Sequence, residues 1–224
     1  MIPNQQLSEL IKRALTGALL VISFGGAYLH SSFLFICALL VLYVITMCYE
    51  WPRLVDLHRP SRMLFSLLYP TLPFATLMWL THHYYHIDFY LPLLPFLIAW
   101  GADTSGYIIG KLMGRHKMCP TISPGKSWEG FGGSFAATLA LCWFILPRII
   151  LFSHAAFATN KVLLTVFALA MTTVSFLGGF FLSLLKRKEG LKDAGTLLPG
   201  HGGVLDRFDG VLFVGLAILL LTLW

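Results

Sequence analysis

The sequence predicts an all-α, polytopic integral membrane protein, with about seven transmembrane helices forming a single domain over residues 1–224 and the N-terminus in the cytoplasm. Three observations carry this expectation. The chain is 57% apolar and only 12% charged, with a mean hydropathy of +0.77, whereas a soluble domain carries about 25% charged residues. Apolar runs of spanning length recur throughout the chain. When those runs are threaded alternately through a bilayer, fourteen of the sixteen Lys and Arg fall on one side and only Arg148 and Lys161 on the other, the bias that sets membrane orientation.

Spans are expected near residues 14–30, 33–49, 63–81, 88–110, 130–148, 162–184 and 208–224, each close to the roughly 17–25 residues a spanning helix needs. The first run is read as a span and not a secretory leader, because no small-residue cleavage site ends it. The first two spans are read as a hairpin around His30–Ser32. His82, His83, Tyr84 and Tyr85, with Trp79, suit an aromatic belt at the outer interface. Cys37, Cys48, Cys119 and Cys142 contain no CxxC pair, so neither a disulfide nor a zinc site is expected. The net charge of +6 is assigned to orientation, and no nucleic-acid partner is expected.

The acidic residues are sorted too. Seven of the ten, Glu50, Asp103, Glu129, Glu189, Asp193, Asp206 and Asp209, lie at or near cytoplasmic span ends. Carboxylates at membrane depth are costly unless paired, so they are functional candidates. The richest stretch runs from Ser183 through Lys186-Arg187-Lys188, Lys192-Asp193 and the Gly200-His201-Gly202-Gly203 turn to Asp206-Arg207-Phe208-Asp209. Asp206 and Asp209 are three apart and share a helix face. Carboxylates beside cations suit a metal–nucleotide triphosphate, the carboxylates holding Mg²⁺ and the cations the phosphate oxygens. The blander account is a basic loop on anionic lipid heads, which leaves the paired carboxylates unexplained. A second polar stretch, Asp103–Tyr107 followed by Ser123-Pro124-Gly125-Lys126-Ser127-Trp128-Glu129-Gly130, departs from a Walker A loop. There Asp103 also suits a helix–helix hydrogen bond, Ser123-Pro124 a turn, and Trp128 an interfacial anchor.

At these two stretches the chain resembles the phosphatidate cytidylyltransferases (CDP-diacylglycerol synthases). Ser183, Lys186, Arg187, Lys192, Asp193, His201, Gly202, Gly203, Asp206, Arg207 and Asp209 meet that family's signature, and Asp103–Tyr107 and Ser123–Gly130 match its upstream pattern more loosely. The resemblance covers residues 95–224 well. The preceding part matches in hydrophobic character and at Glu50-Trp51. Where the family has a G-D-x-x-E-S pattern, this chain has Gly178-Gly179-Phe180-Phe181-Leu182-Ser183, so both carboxylates are replaced, by Gly179 and Leu182.

The resemblance implies cytidylyl transfer from CTP to phosphatidic acid in a bacterial inner membrane, with the active site facing the cytoplasm, Mg²⁺ as cofactor (with room for a second cation), membrane lipids around it, and a homodimer as an allowed assembly. It implies metal on Asp206, Asp209 and Asp193. Lys186, Arg187, Lys192 and Arg207 are expected on phosphate oxygens, His201 against the leaving pyrophosphate, and Ser183, Gly202 and Gly203 at the substrate. Asp103, Ser123, Lys126 and Glu129 form the other wall. Three alternatives stay open: a relative acting on another lipid phosphate, a weakened member that binds lipid or a partner, and a small transporter using Asp103.

Overall fold

A computed structural model describes residues 19, 22–56, 60–149, 160–197 and 202–223. Residues 22–30 form helix α1. It stops at Ser31, whose extended backbone (φ −167°, ψ 151°) and side chain cap the next helix by accepting the Leu34 N–H. Phe24 and Tyr28 then pack edge-on against Phe35 across the break, as the hairpin expectation requires. The start of that first expected span, and Lys12 and Arg13 of the orientation argument, lie outside the described residues.

Helices α2 (Ser32–Leu54), α3 (Arg62–Tyr84), α5 (Trp128–Arg148) and α6 (Lys161–Lys188) are long and apolar enough to cross a bilayer. Helices α4 (Leu94–Met113) and α7 (Leu205–Thr222) complete the bundle. These two were expected as spans 88–110 and 208–224. Their lower apolarity comes from Asp103 and Lys111 in one and Asp206, Arg207 and Asp209 in the other, the polar residues singled out above. The expected start at residue 88 is early by more than one turn, because Asp88 instead accepts the Tyr90 N–H in a turn before α4. Leu112, Val162 and Leu64 are more than 60% exposed. An apolar exterior of this kind suits lipid, which needs no polar covering.

Two local distortions matter. Tyr69 leaves the helical region (φ −148°, ψ 125°) ahead of Pro70 and kinks α3, as the restriction on residues before proline dictates. In α2 a π turn covers Thr46–Glu50. It lies just before Pro52, which has no N–H to continue the ladder. One departure from an all-helical reading appears between α4 and α5. Strands β1 (Lys117–Cys119) and β2 (Ser123–Ser127) pair antiparallel, with Lys117 opposite Ser127 and Cys119 opposite Ser123. The sequence suggests only a turn at Ser123-Pro124 here, because five residues of Ser, Pro, Gly and Lys carry no strand alternation.

Helices α4 and α5 approach closely through small residues. A Cβ on Gly106 would run into Ser134 Oγ and lie 3.3 Å from the Gly130 carbonyl oxygen, and one on Gly130 would lie 2.8 Å from the Gly106 carbonyl oxygen. Small-xxx-small faces of this kind let membrane helices pack backbone to backbone, and here Ser134 Oγ donates to the Ala102 carbonyl across the gap. A similar crossing puts Gly178 of α6 against the backbone of Asp209 and Gly210 in α7. The result gathers Glu50, Lys126, Lys186 and Val204 at one end of the bundle, while Tyr28, Tyr85 and Phe89 cluster at the other.

Candidate active site

The polar end has two parts. The first is organised around Asp206, in the first turn of α7. Its Oδ1 accepts from Lys186 Nζ at 2.6 Å, and its Oδ2 accepts from the Ala194 N–H at 2.8 Å and the Gly203 N–H at 3.0 Å. The Lys186–Asp206 pair is largely buried, with side chains 13% and 8% exposed. Gly202 has φ +82°, and a Cβ there would lie 3.0 Å from Asp206 Oδ2 and 3.3 Å from Asp193 Cβ. Glycine is therefore required on two counts, left-handed backbone and space, and Asp193 and Asp206 flank the same residue. Lys192 and Asp193 are exposed at the rim.

A residue singled out from sequence as a span-end carboxylate and within the Glu50-Trp51 match, with no role assigned, completes this part. Glu50 is fully buried. Its Oε1 accepts the Val204 N–H at 2.6 Å and its Oε2 the Leu205 N–H at 2.8 Å. A Cβ on Gly195 or Gly203 would come within 3.0 Å of its carboxyl group. The signal available in sequence was a buried carboxylate just before a proline. Its partner, 154 residues away, was not legible.

The second part is a cavity of about 290 Å³ between α4, α5 and α6. Asp103, Lys126 and Arg207 give it a charged side, Tyr107, Phe131 and Phe176 an aromatic one, and Ser134, Thr172 and Ser175 line it farther from the polar end. Lys126, at the end of β2, donates to the Phe176 carbonyl at 3.2 Å and lies 4.2 Å from the centre of the Phe176 ring. Burial pushes its ammonium pKa down, while Asp209 and Asp103 oppose that shift. Asp209 accepts the Gly210 N–H at 2.7 Å. The Gly179 position lies between these groups: a Cβ there would be 2.8 Å from Lys126 Nζ and 3.3 Å from Asp209 Oδ2. Leu182, the other replaced carboxylate position, is fully buried in the core.

The structure thus brings together Asp103, Lys126, Arg207 and Asp209 around the cavity, and Asp193, Lys186, Gly202, Gly203 and Asp206 at the loop beside it. Other expected residues have local duties. Ser183 Oγ donates to the Gly179 carbonyl within α6. Arg187 donates to the carbonyls of Ile122 and Leu191, tying the β1–β2 connection to the loop after α6. Glu129 accepts from the His116 N–H and pairs with His116 Nδ1 at 2.7 Å. Ser123 pairs in the strand ladder. Neither residue lines the cavity. His201 lies outside the described residues. Tyr69 was not anticipated: its hydroxyl, like Ser175 Oγ, finds no hydrogen-bond partner among the described residues.

Among the described residues no three acidic, His or Cys side chains converge as a ready-made metal cage. The donors present nonetheless fit a hard cation that arrives with a nucleotide. Mg²⁺ is commonly held by one or two carboxylates plus substrate phosphates, and Asp193 with Asp206 on either side of Gly202, or Asp209 across from Asp103, supply such oxygens.

Against known proteins, the cytidylyltransferase family profile matches residues 16–224. A phosphatidate cytidylyltransferase of Rickettsia bellii is 34% identical over 213 residues, 93% of this chain and 89% of the relative. Phosphatidate cytidylyltransferases of Staphylococcus haemolyticus and Staphylococcus aureus are 44% and 45% identical over 122 and 123 residues, in each case 54% of this chain and 45% of the relative. The match therefore spans about half the length of the staphylococcal relatives and most of the rickettsial one.

Proposed function

The chain belongs to the cytidylyltransferase family, and from that premise we propose that it transfers a cytidylyl group from CTP to phosphatidic acid, giving CDP-diacylglycerol and pyrophosphate. The observation that carries this reading, beyond family, is the pairing of a charged cavity set between helices with a cation-bearing segment beside it. The cavity holds Asp103, Lys126 and Arg207, and a lipid headgroup reaches it without its acyl chains leaving the bilayer. In that segment Lys192 stands on the loop after α6 and Lys186 at the end of α6 beside it, cations that suit phosphate oxygens.

In the reaction a phosphatidate oxygen attacks the α-phosphorus of CTP in line. The new P–O bond forms as the bond from the α-phosphorus to the bridging oxygen breaks, and that oxygen leaves on pyrophosphate. Little covalent work falls to the protein, so positioning and charge neutralisation dominate. Lys126 and Arg207 hold the attacking phosphate. Lys186 and Lys192 face the triphosphate. Asp206 and Asp209, with Asp193, would hold Mg²⁺, which when bound withdraws charge from the phosphate oxygens.

The membrane arrangement proposed with it has seven spans, the N-terminus and the polar end in the cytoplasm of a bacterial inner membrane, and a homodimer as the working assembly. The transporter alternative draws no support from a cavity confined to one end, and the comparisons do not favour a weakened binder. The test is pyrophosphate release by purified protein supplied with CTP, Mg²⁺ and phosphatidic acid. Release that depends on both substrates is expected. Protein that binds neither CTP nor phosphatidic acid would overturn the reading.

A further inference from the structure

We infer that Glu50 is a positioning residue for the reaction: from α2 it supplies the cap of α7 and, through Gly195 and Gly203, sets the place of Asp206 and its loop. This rests on the function proposed above. The reasoning begins with the start of α7. The first N–H groups of any helix lack intrahelical acceptors, and in a membrane protein an unmet donor is especially costly. Val204, the residue at the helix start, offers no side-chain cap. Glu50 fills that role, one carboxylate oxygen taking the Val204 N–H and the other the Leu205 N–H. A carboxylate there also opposes the positive end of the helix dipole.

The same carboxyl group anchors the preceding loop. Gly195 and Gly203 approach so closely that a Cβ on either would collide with it, and a Cβ on Gly203 would also lie 2.7 Å from the Gly195 amide nitrogen. Gly203 then donates its N–H to Asp206, which also takes the Ala194 N–H and the Lys186 ammonium. The two carboxylates thus divide four backbone donors between them, and moving Glu50 displaces the groups that orient Asp206. The π turn over Thr46–Glu50 places Glu50 at its C-terminal end, a distortion that recurs at functional sites. Glu50 does not line the cavity of Asp103, Lys126 and Phe176.

The decisive variant is Glu50→Gln. It conserves shape but has a single acceptor oxygen, so one N–H must face an amide NH₂. With CTP, Mg²⁺ and phosphatidic acid, kcat should fall about 10- to 100-fold, as misplacement by an ångström does, while KM for phosphatidic acid changes less than about threefold. Amide exchange over residues 203–206 should speed up about tenfold or more. Gly195→Ala, which displaces the same carboxylate from the loop side, should reproduce both effects and serves if Glu50→Gln does not fold. Wild-type kcat in either folded variant, or unchanged exchange, overturns the inference. Faster exchange with kcat intact shows a merely structural cap and overturns it equally. If the wild type releases no pyrophosphate, the function fails on its own, and the exchange measurement still decides whether Glu50 holds the loop.

Discussion

Around Asp206 the polar end is saturated with hydrogen bonds, whereas around Asp103, Lys126 and Asp209 it is held open. Asp206 and Glu50 together accept five donors, four from the backbone and one from Lys186. In the cavity Lys126 has one carbonyl and one aromatic face, and Ser175 Oγ has no partner among the described residues. Buried polar groups are ordinarily satisfied, and an unsatisfied one costs about 1–3 kcal/mol. The contrast teaches a division of labour. The saturated side is paid for by the fold and keeps its shape without ligand. The open side withholds partners that a phosphate and its lipid then supply.

The largest effect that sharpens this comparison is expected at Asp209→Asn. Removing this charge from the open side should lower pyrophosphate release on the order of a thousandfold or more. Helix content and Tm should hold, since the substitution keeps the side-chain volume. Near-normal release would place the reacting phosphates elsewhere. Asp206→Asn, on the saturated side, should also abolish activity, but with a stability loss. Breaking a largely buried ion pair typically costs about 3–5 kcal/mol, so its thermal midpoint should fall clearly below that of Asp209→Asn. Equal midpoints for the two variants would erase the distinction.

A smaller effect belongs to Lys126. Lys126→Ala should raise KM for phosphatidic acid about 10- to 100-fold, the worth of a charge-assisted hydrogen bond, and excess lipid should restore much of the rate. The sign of the pH effect follows from burial, which lowers the ammonium pKa. The charged form is lost as pH rises through that lowered value, so activity should decline on the alkaline side. Lys126→Arg stays protonated and should extend activity to higher pH. An identical alkaline limb in the two proteins would remove Lys126 from the phosphate site.

The smallest effect is expected at Gly179→Asp. The new Cβ would press on Lys126 Nζ and sit beside Asp209, and the flexible ammonium has room only by shifting to pair with the added carboxylate. A few-fold lower Mg²⁺ requirement is expected, because each carboxylate added to a hard-cation shell strengthens it. An unchanged Mg²⁺ titration would show that the gap at Gly179 is unrelated to metal.

By itself the sequence determined the helical membrane class, the approximate places of the four helices long and apolar enough to cross a bilayer, and the shared face of Asp206 and Asp209. Those are local properties: hydropathy over some twenty residues sets a membrane helix, and a spacing of three sets a shared face. The break at Ser31 was legible for the same reason, as a hairpin around His30–Ser32, whereas the kink ahead of Pro70 inside the span expected over residues 63–81 was not. Only the tertiary structure decided which carboxylate caps α7, that Glu129 turns to His116, that residues 117–127 form a strand pair, and that Lys126 reaches across to Gly179. The first and the last of these depend on how closely helices approach. That distance is set by glycines meeting glycines and backbone at Gly106, Gly130 and Gly178, where the absence of a side chain leaves no periodic pattern to read. A contact between residues 50 and 204 exists because the packed bundle brings the Glu50 carboxylate within 2.6 Å of the Val204 N–H nitrogen, and nothing in either neighbourhood alone names the other.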